Sequence, residues 1–131
     1  MTGGIIVTHA GFAEGLKEAV EMIAGKQEDL AAIGLREGDG METLMEKIRE
    51  AAKTMSCKKI WLFCDMFGAT PCNAGCMLAS QEDYEVITGV SLPILLDFVM
   101  SRTAADGEDL RGSIEQTAGE AFRWITKEEL I

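Results

Sequence analysis

The chain predicts an α/β fold: an open, mostly parallel, doubly wound sheet with helices on both faces. Three observations predict it. Short apolar runs alternate with segments whose apolar residues recur at helical spacing. Strand–helix alternation of that kind specifies parallel strands joined by covered crossovers. No repeat, low-complexity tract or linker interrupts the 131 residues, so the length reads as one domain over 1–131.

Each element follows in order. GGIIVTH reads as a buried strand over 3–8. GFAEGLKEAVEMIAG follows with Phe12, Leu16, Val20 and Ile23 at helical spacing, and Gly25 stops it. DLAAIGL is a weaker, Ala-rich strand near 29–34, and REGDG is a loop. METLMEKIREAAKTM is amphipathic, with Leu44, Ile48 and Ala51 on one face. KKIWLFCD gives a strong strand over 59–64, and MFGAT a loop. PCNAGCMLAS is a helix with Pro71 in its first turn, where proline fits. YEVITGV is the fourth strand, and SLPILLDFVMSR and DGEDLRGSIEQTAGEA are two more helices. FRWIT, with alternating Phe122, Trp124 and Thr126, predicts a C-terminal antiparallel edge strand.

Charge narrows the partners. With 22 acidic against 12 basic residues the net charge is −10, which opposes binding to nucleic acid or anionic lipid. No basic, apolar leader opens the chain, and its longest apolar stretch is far short of the roughly 18 residues of a spanning helix. The expected compartment is a reducing cytoplasm, with Cys57, Cys64, Cys72 and Cys76 as free thiols. Cys72 and Cys76 share a helix face. Without a Cys-x-x-Cys or a nearby histidine, they read as small buried hydrophobes rather than metal ligands. Neither a metal nor a cofactor is expected.

The chemistry concentrates in two loops. His9, the only histidine, ends the first strand, and Asp65 ends the third. If those strands pair, as in flavodoxin-like order, the two side chains meet where strand order reverses, which is where open α/β sheets bind ligands. A carboxylate that accepts Nδ1–H fixes the imidazole tautomer and leaves the Nε2 lone pair facing outward. That is what a nucleophilic histidine needs. In DMFGATP, Gly68 and Ala69 are small enough for backbone to approach a ligand. Thr70 stands where it can cap the next helix, and a helix N-terminus with a hydroxyl and free N–H groups suits phosphate. Together these point to a phosphohistidine carrier.

Plainer roles exist for each residue. A lone histidine is more often a surface residue, Asp after a strand commonly caps a turn, and Thr70-Pro71 can be only a helix start. GATP lacks the lysine and spacing of a phosphate-binding P-loop, and THAGFAEG lacks G-x-G-x-x-G, so nucleotide binding is set aside. Asn73 is read as capping or bonding locally, Asp97 as solvent-facing or a helix-surface acid, and the methionines as core filler. Phe12 and Phe67 are either a docking surface for a protein partner or core.

At these residues the sequence resembles the enzyme IIA domain of the mannose class (mannose/fructose/sorbose) of the bacterial phosphoenolpyruvate-dependent sugar phosphotransferase system. GIIVTHAGFAEGLKEAVEMIAG is similar to that family's opening strand, active histidine and first helix. FCDMFGATPCNAG is similar to its strand-three loop, and VITGVSLPILLDF to its fourth strand and the turn after it. Cys72 stands where phenylalanine is common, and Ala69 where glycine is common.

The resemblance implies a phosphotransferase that is itself a protein-histidine phosphoryl carrier. His9 would accept phosphate at Nε2 from the histidine-containing phosphocarrier protein and pass it to a separate IIB component. Asp65 would orient the ring, and Thr70, Gly68 and Ala69 would hold the phosphate. It also implies a homodimer with an exchangeable C-terminal strand. Its place would be cytoplasmic, peripheral to the membrane through the transporter, with the IIC and IID components reached only indirectly. The sugar is not legible, because IIA domains do not contact it. Three alternatives remain: the phosphoryl-donor subunit of dihydroxyacetone kinase, a regulatory phosphorylation sensor, and a flavodoxin-like small-molecule binder.

Overall fold

The computed structural model describes residues 1–105 and 107–130. Its elements run β1 (Gly3–His9), α1 (Phe12–Ala24), β2 (Leu30–Leu35), α2 (Met41–Lys53), β3 (Ile60–Cys64), α3 (Thr70–Ala79), β4 (Tyr84–Ile87), α4 (Leu92–Ser101), α5 (Gly107–Ala121) and a 3-10 turn (Lys127–Leu130). The four strands form one parallel sheet in the order β2-β1-β3-β4. The expected α/β architecture and the pairing of the first and third strands are both present.

Side-chain alternation along β1 and β3 sorts the core into two layers. On one face Ile6, Trp61 and Phe63 pack under α1, α4 and α5, with Phe98 and Leu95 fully buried. On the other, Ile5, Val7, Leu62 and Cys64 pack under α2 and α3 against Leu44, Ile48 and Leu78. Burial on both faces is why β1 and β3 read as continuous apolar runs.

The helix faces differ in detail from expectation. In α1 the buried set is Ala13, Leu16 and Val20, whereas Phe12 and Ile23 are exposed. A two-layer fold leaves α1 one covered stripe, and Phe12 stands in the helix's first, open turn. In α2 the stripe is Leu44, Met45 and Ile48, with Ala51 at its margin. Gly25 ends α1 as expected, at φ 87°, with its N–H donating to the Glu21 carbonyl. β4 is shorter than read, because Gly89 at φ 71° turns the chain after Ile87. Asp106, placed in the last helix by the sequence, lies outside the described residues.

The edge strand is the main correction. Residues 122–126 form no strand, and Phe122, Trp124 and Ile125 are exposed. A strand exists only by pairing, and among the described residues no strand pairs with the segment or with the outer edge of β4. Asp97 is a second correction. Rather than facing solvent, it lies between α4 and α5 and accepts hydrogen bonds from Ser101, Ser113 and Thr117 at 2.8–2.9 Å. The thiols are also less uniform than expected: Cys64 and Cys72 are buried, Cys57 is half-buried and Cys76 exposed, all four free.

At the edge of the sheet where β1 and β2 begin, Arg102 closes α4. It is 4% exposed. Its guanidinium lies over the Phe98 ring and donates to the carbonyls of Thr2, Glu28 and Asp29 and to the Gln27 side chain. One cation thus fastens the starts of two strands, and the opposite edge carries the chemistry.

Candidate functional site

Parallel strands carry every following helix N-terminus to one edge of the sheet, and β1 and β3 end there side by side. Val7 and Cys64 are register partners, so the next residues of each strand emerge together. Asp65 and His9, 56 residues apart in sequence, meet at that edge. The Asp65 Oδ2 atom lies 2.6 Å from His9 Nδ1 and accepts the His9 backbone N–H at 2.9 Å. Its other oxygen accepts the Met66 N–H at 3.0 Å.

An ionised carboxylate can only accept, so the ring proton sits on Nδ1 and Nε2 keeps its lone pair. The His9 side chain is 48% exposed and that of Asp65 only 14%. The carboxylate is therefore shielded while the imidazole is half open to solvent. Partial burial pushes the Asp65 carboxyl up, but hydrogen bonds from the His9 amide and ring outweigh it. The group is held below the usual carboxylate range. Cys64, just before it, is driven the other way: burial and the neighbouring Cys72 push its thiol up to about 12, so it stays an inert core group.

The loop after Asp65 is shaped by Gly68, whose φ of 83° is left-handed and favours glycine. Asn73 Nδ2 donates to the Gly68 carbonyl at 3.3 Å, the local bond read from sequence. Thr70 departs from expectation. It is the first residue of α3 rather than its cap. Ala69 occupies the cap position in extended backbone, and no side chain caps the helix. The first turn of α3, with Thr70 in it, starts at the same end of the sheet as His9. No Lys or Arg makes a hydrogen bond or ion pair with His9 or Asp65 among the described residues. Helix N-termini contribute positive potential at this edge, and Arg36, just after β2, places its Nη1 3.9 Å from where a Cβ on Gly11 would stand.

Phe67 is 82% exposed and Phe12 50%, with Met66 at 56% between the loop and solvent. Of the two readings of the phenylalanines, core packing is excluded and a surface remains. A cavity of about 260 Å³ lies elsewhere, at the β4 edge, lined by Trp61, Glu85, Ile87 and Ile114 among others. No group of three or more His, Cys, Asp or Glu side chains among the described residues could hold a metal ion.

Two residues at the site escape a sequence reading. Thr8, wholly buried, accepts the Ala13 N–H at 2.7 Å and donates to the His9 carbonyl at 3.1 Å. Gly34 in β2 lies against the Ala10 carbonyl, where a Cβ would sit 2.0 Å from the oxygen. Ala10 itself is left-handed at φ 48°. A threonine five residues before a helical N–H is a weak signal, and a glycine in a weak strand gives none. The arrangement leaves the His9 ring half exposed, with its Nδ1 held by Asp65.

Comparison with known proteins bears on the same residues. A family profile described as "PTS system fructose IIA component" matches residues 3–115. The chain is 34% identical over 125 residues to the "PTS system fructose-specific EIIA component" of Bacillus subtilis (strain 168), covering 94% of this chain and 86% of that one. It is 37% identical over 105 residues to the "PTS system mannose-specific EIIAB component" of Escherichia coli (strain K12), covering 78% of this chain but only 32% of that one. Among solved structures, phosphotransferase system component EIIA from Streptococcus agalactiae superposes with a TM-score of 0.86 at 27% identity, covering 94% of this chain and 96% of that one.

Proposed function

This chain belongs to the IIA components of the mannose class of the sugar phosphotransferase system, and on that premise we propose that His9 is the residue that carries the phosphoryl group. It accepts the group at Nε2 from the histidine-containing phosphocarrier protein and passes it to a IIB component. The observation that carries the reading is the 2.6 Å contact between Asp65 Oδ2 and His9 Nδ1. That bond fixes which nitrogen is nucleophilic. It also supports the ring's positive charge once Nε2 is substituted while Nδ1 keeps its proton.

In the transfer, the donor's N–P bond breaks as a bond to Nε2 forms, in line, through a loose transition state. Catalysis is then positioning and charge stabilisation. The Thr70 hydroxyl and the backbone around Gly68 and Ala69 hold the phosphoryl oxygens at the positive end of α3. The exposed Phe12 and Phe67 form the surface on which each partner seats and shuts out water.

The carrier works in the cytoplasm as a single-domain unit over 1–131; no helix among the described residues is long and apolar enough to cross a membrane. It works as a homodimer in which residues 122–126 of each copy pair with the other. The open β4 edge and the exposed Phe122, Trp124 and Ile125 support that arrangement.

The test is phosphorylation with purified enzyme I, phosphocarrier protein and phosphoenolpyruvate, read by intact mass. Wild type should gain one acid-labile phosphoryl group and His9→Ala none. A folded wild type that stays unmodified would refute the carrier reading.

A further inference from the structure

We propose that Thr8 is a positioning residue for the His9 chemistry, clamping the histidine from the face of the strand opposite its ring. This rests on the reading of His9 as the nucleophile. His9 follows Ile5 and Val7 on the α2/α3 face of β1, whereas Thr8 follows Ile6 on the α1 face. Thr8 therefore reaches the reacting nitrogen only through the backbone.

Its hydroxyl has one proton and two lone pairs to give. The proton goes to the His9 carbonyl at 3.1 Å, and a lone pair takes the Ala13 N–H at 2.7 Å. The second bond serves α1, whose own cap residue, Gly11, offers no side chain. The first bond serves His9. Together they tie the last peptide of β1 to the first turn of α1 across the connection formed by Ala10 and Gly11.

That connection needs holding. Ala10 is in the left-handed region at φ 48°, a conformation an alanine keeps only where its surroundings impose it. Asp65 grips the amide side of His9, at N–H and Nδ1. Thr8 grips the carbonyl side. With both, the ring's orientation follows from the backbone. The Ala10 N–H is also held, by the Leu35 carbonyl at 2.9 Å, so what Thr8 adds is a hold on the His9 carbonyl; without it the turn through left-handed Ala10 can relax and draw Nδ1 off the carboxylate. A hydroxyl that is fully buried and shared between the helix start and the histidine couples the two.

The test compares Thr8→Val, which keeps shape and removes both bonds, with Thr8→Ser, which keeps them. A core truncation at Leu110, chosen to match the melting midpoint of Thr8→Val, controls for stability; Leu110 is fully buried in α5. Two readouts are taken. The first is the rate of His9 phosphorylation at saturating phosphocarrier protein. Thr8→Val should fall about tenfold or more, as misplacement of a reacting group does. Its KM for the phosphocarrier protein should be unchanged, and Thr8→Ser should lie within about twofold of wild type. The second is the ring ¹⁵N shifts of His9, which report the Nδ1–H tautomer without any partner. They should move toward those of free imidazole in Thr8→Val alone.

The proposal is overturned if Thr8→Val is no slower than the Leu110 control, if Thr8→Ser does not restore the rate, or if the ¹⁵N shifts of Thr8→Val match wild type. A wild type that takes no phosphate defeats the carrier reading instead, and the ¹⁵N comparison then still decides the role of Thr8.

Discussion

Gly34 offers a quantitative test of how the His9 turn is built. A Cβ added there would meet the Ala10 carbonyl oxygen at 2.0 Å and its carbon at 3.0 Å. No rotamer relieves this, because both partners are backbone. In Gly34→Ala the Ala10 carbonyl has to retreat by about 1 Å, and overpacking of that kind costs about 1–3 kcal/mol. The gain from replacing a strand glycine, about 0.5–1 kcal/mol, offsets part of it. The Ala10 N–H bond to the Leu35 carbonyl, 2.9 Å long, strains with the same movement. A net loss of about 2 kcal/mol lowers the urea midpoint by about 1 M at the slopes usual for small domains. Displacing His9 by about 1 Å should also slow its phosphorylation by about a hundredfold.

Gly15→Ala is the matched control. It lies inside α1 with nothing within 4 Å of its added carbon, and it should gain about 0.5–1 kcal/mol with unchanged phosphorylation. Equilibrium unfolding in urea and the enzyme I-coupled assay read both variants. A Gly34→Ala protein within about 0.5 kcal/mol of wild type, phosphorylated at the normal rate, would refute the packing argument, since measured overpacking costs exceed that.

Three further outcomes are expected. Asp65→Asn removes the charge but not the shape; at about 1.5–3 kcal/mol for a hydrogen bond to a charged group, phosphorylation should slow roughly 10- to 150-fold. Asp65's carboxyl is held low when folded, so its stabilisation is present above the ordinary value near 4 and lost as pH falls through the folded one. Acid titration of unfolding should therefore be flatter below about pH 4 in Asp65→Asn than in wild type. Arg102→Met, which strips four partners of their donor, should cost about 3 kcal/mol or more in urea unfolding while the folded protein still phosphorylates, because it lies at the far edge of the sheet. Trp124→Asp should shift the protein from dimer to monomer in light scattering; an unchanged mass would count against strand exchange.

How much of this is legible in sequence depends on what carries the information. β1 and β3 are legible because both faces are buried, leaving near-continuous apolar runs. His9 and Asp65 are legible because strand ends at a reversal of order must come together. Phe12 and Ile23 mislead because apolar residues at the ends of α1 keep its period without lying over the sheet. FRWIT misleads because period-2 alternation records a pairing preference, and a lone chain offers no partner. Thr70 reads as a cap, yet Ala69 in extended backbone takes that place. Asp97 reads as solvent-facing because its three hydroxyl partners come from both α4 and α5. Thr8 and Gly34 stay hidden because their roles rest on contacts with single backbone atoms of the turn that follows β1.

Among the described residues no guanidinium or ammonium is bonded to His9, which has a kinetic consequence on the proposed carrier reading. A cation that bonded the phosphoryl group at about 1.5–3 kcal/mol would deepen the loaded state and slow its onward departure 10- to 150-fold. Amide dipoles at a helix start hold the same oxygens more weakly and cannot follow them as they leave. On the proposed reading, a way station with no cation bonded to its histidine is easy to fill and equally easy to empty, and its traffic is set by whichever neighbour arrives next.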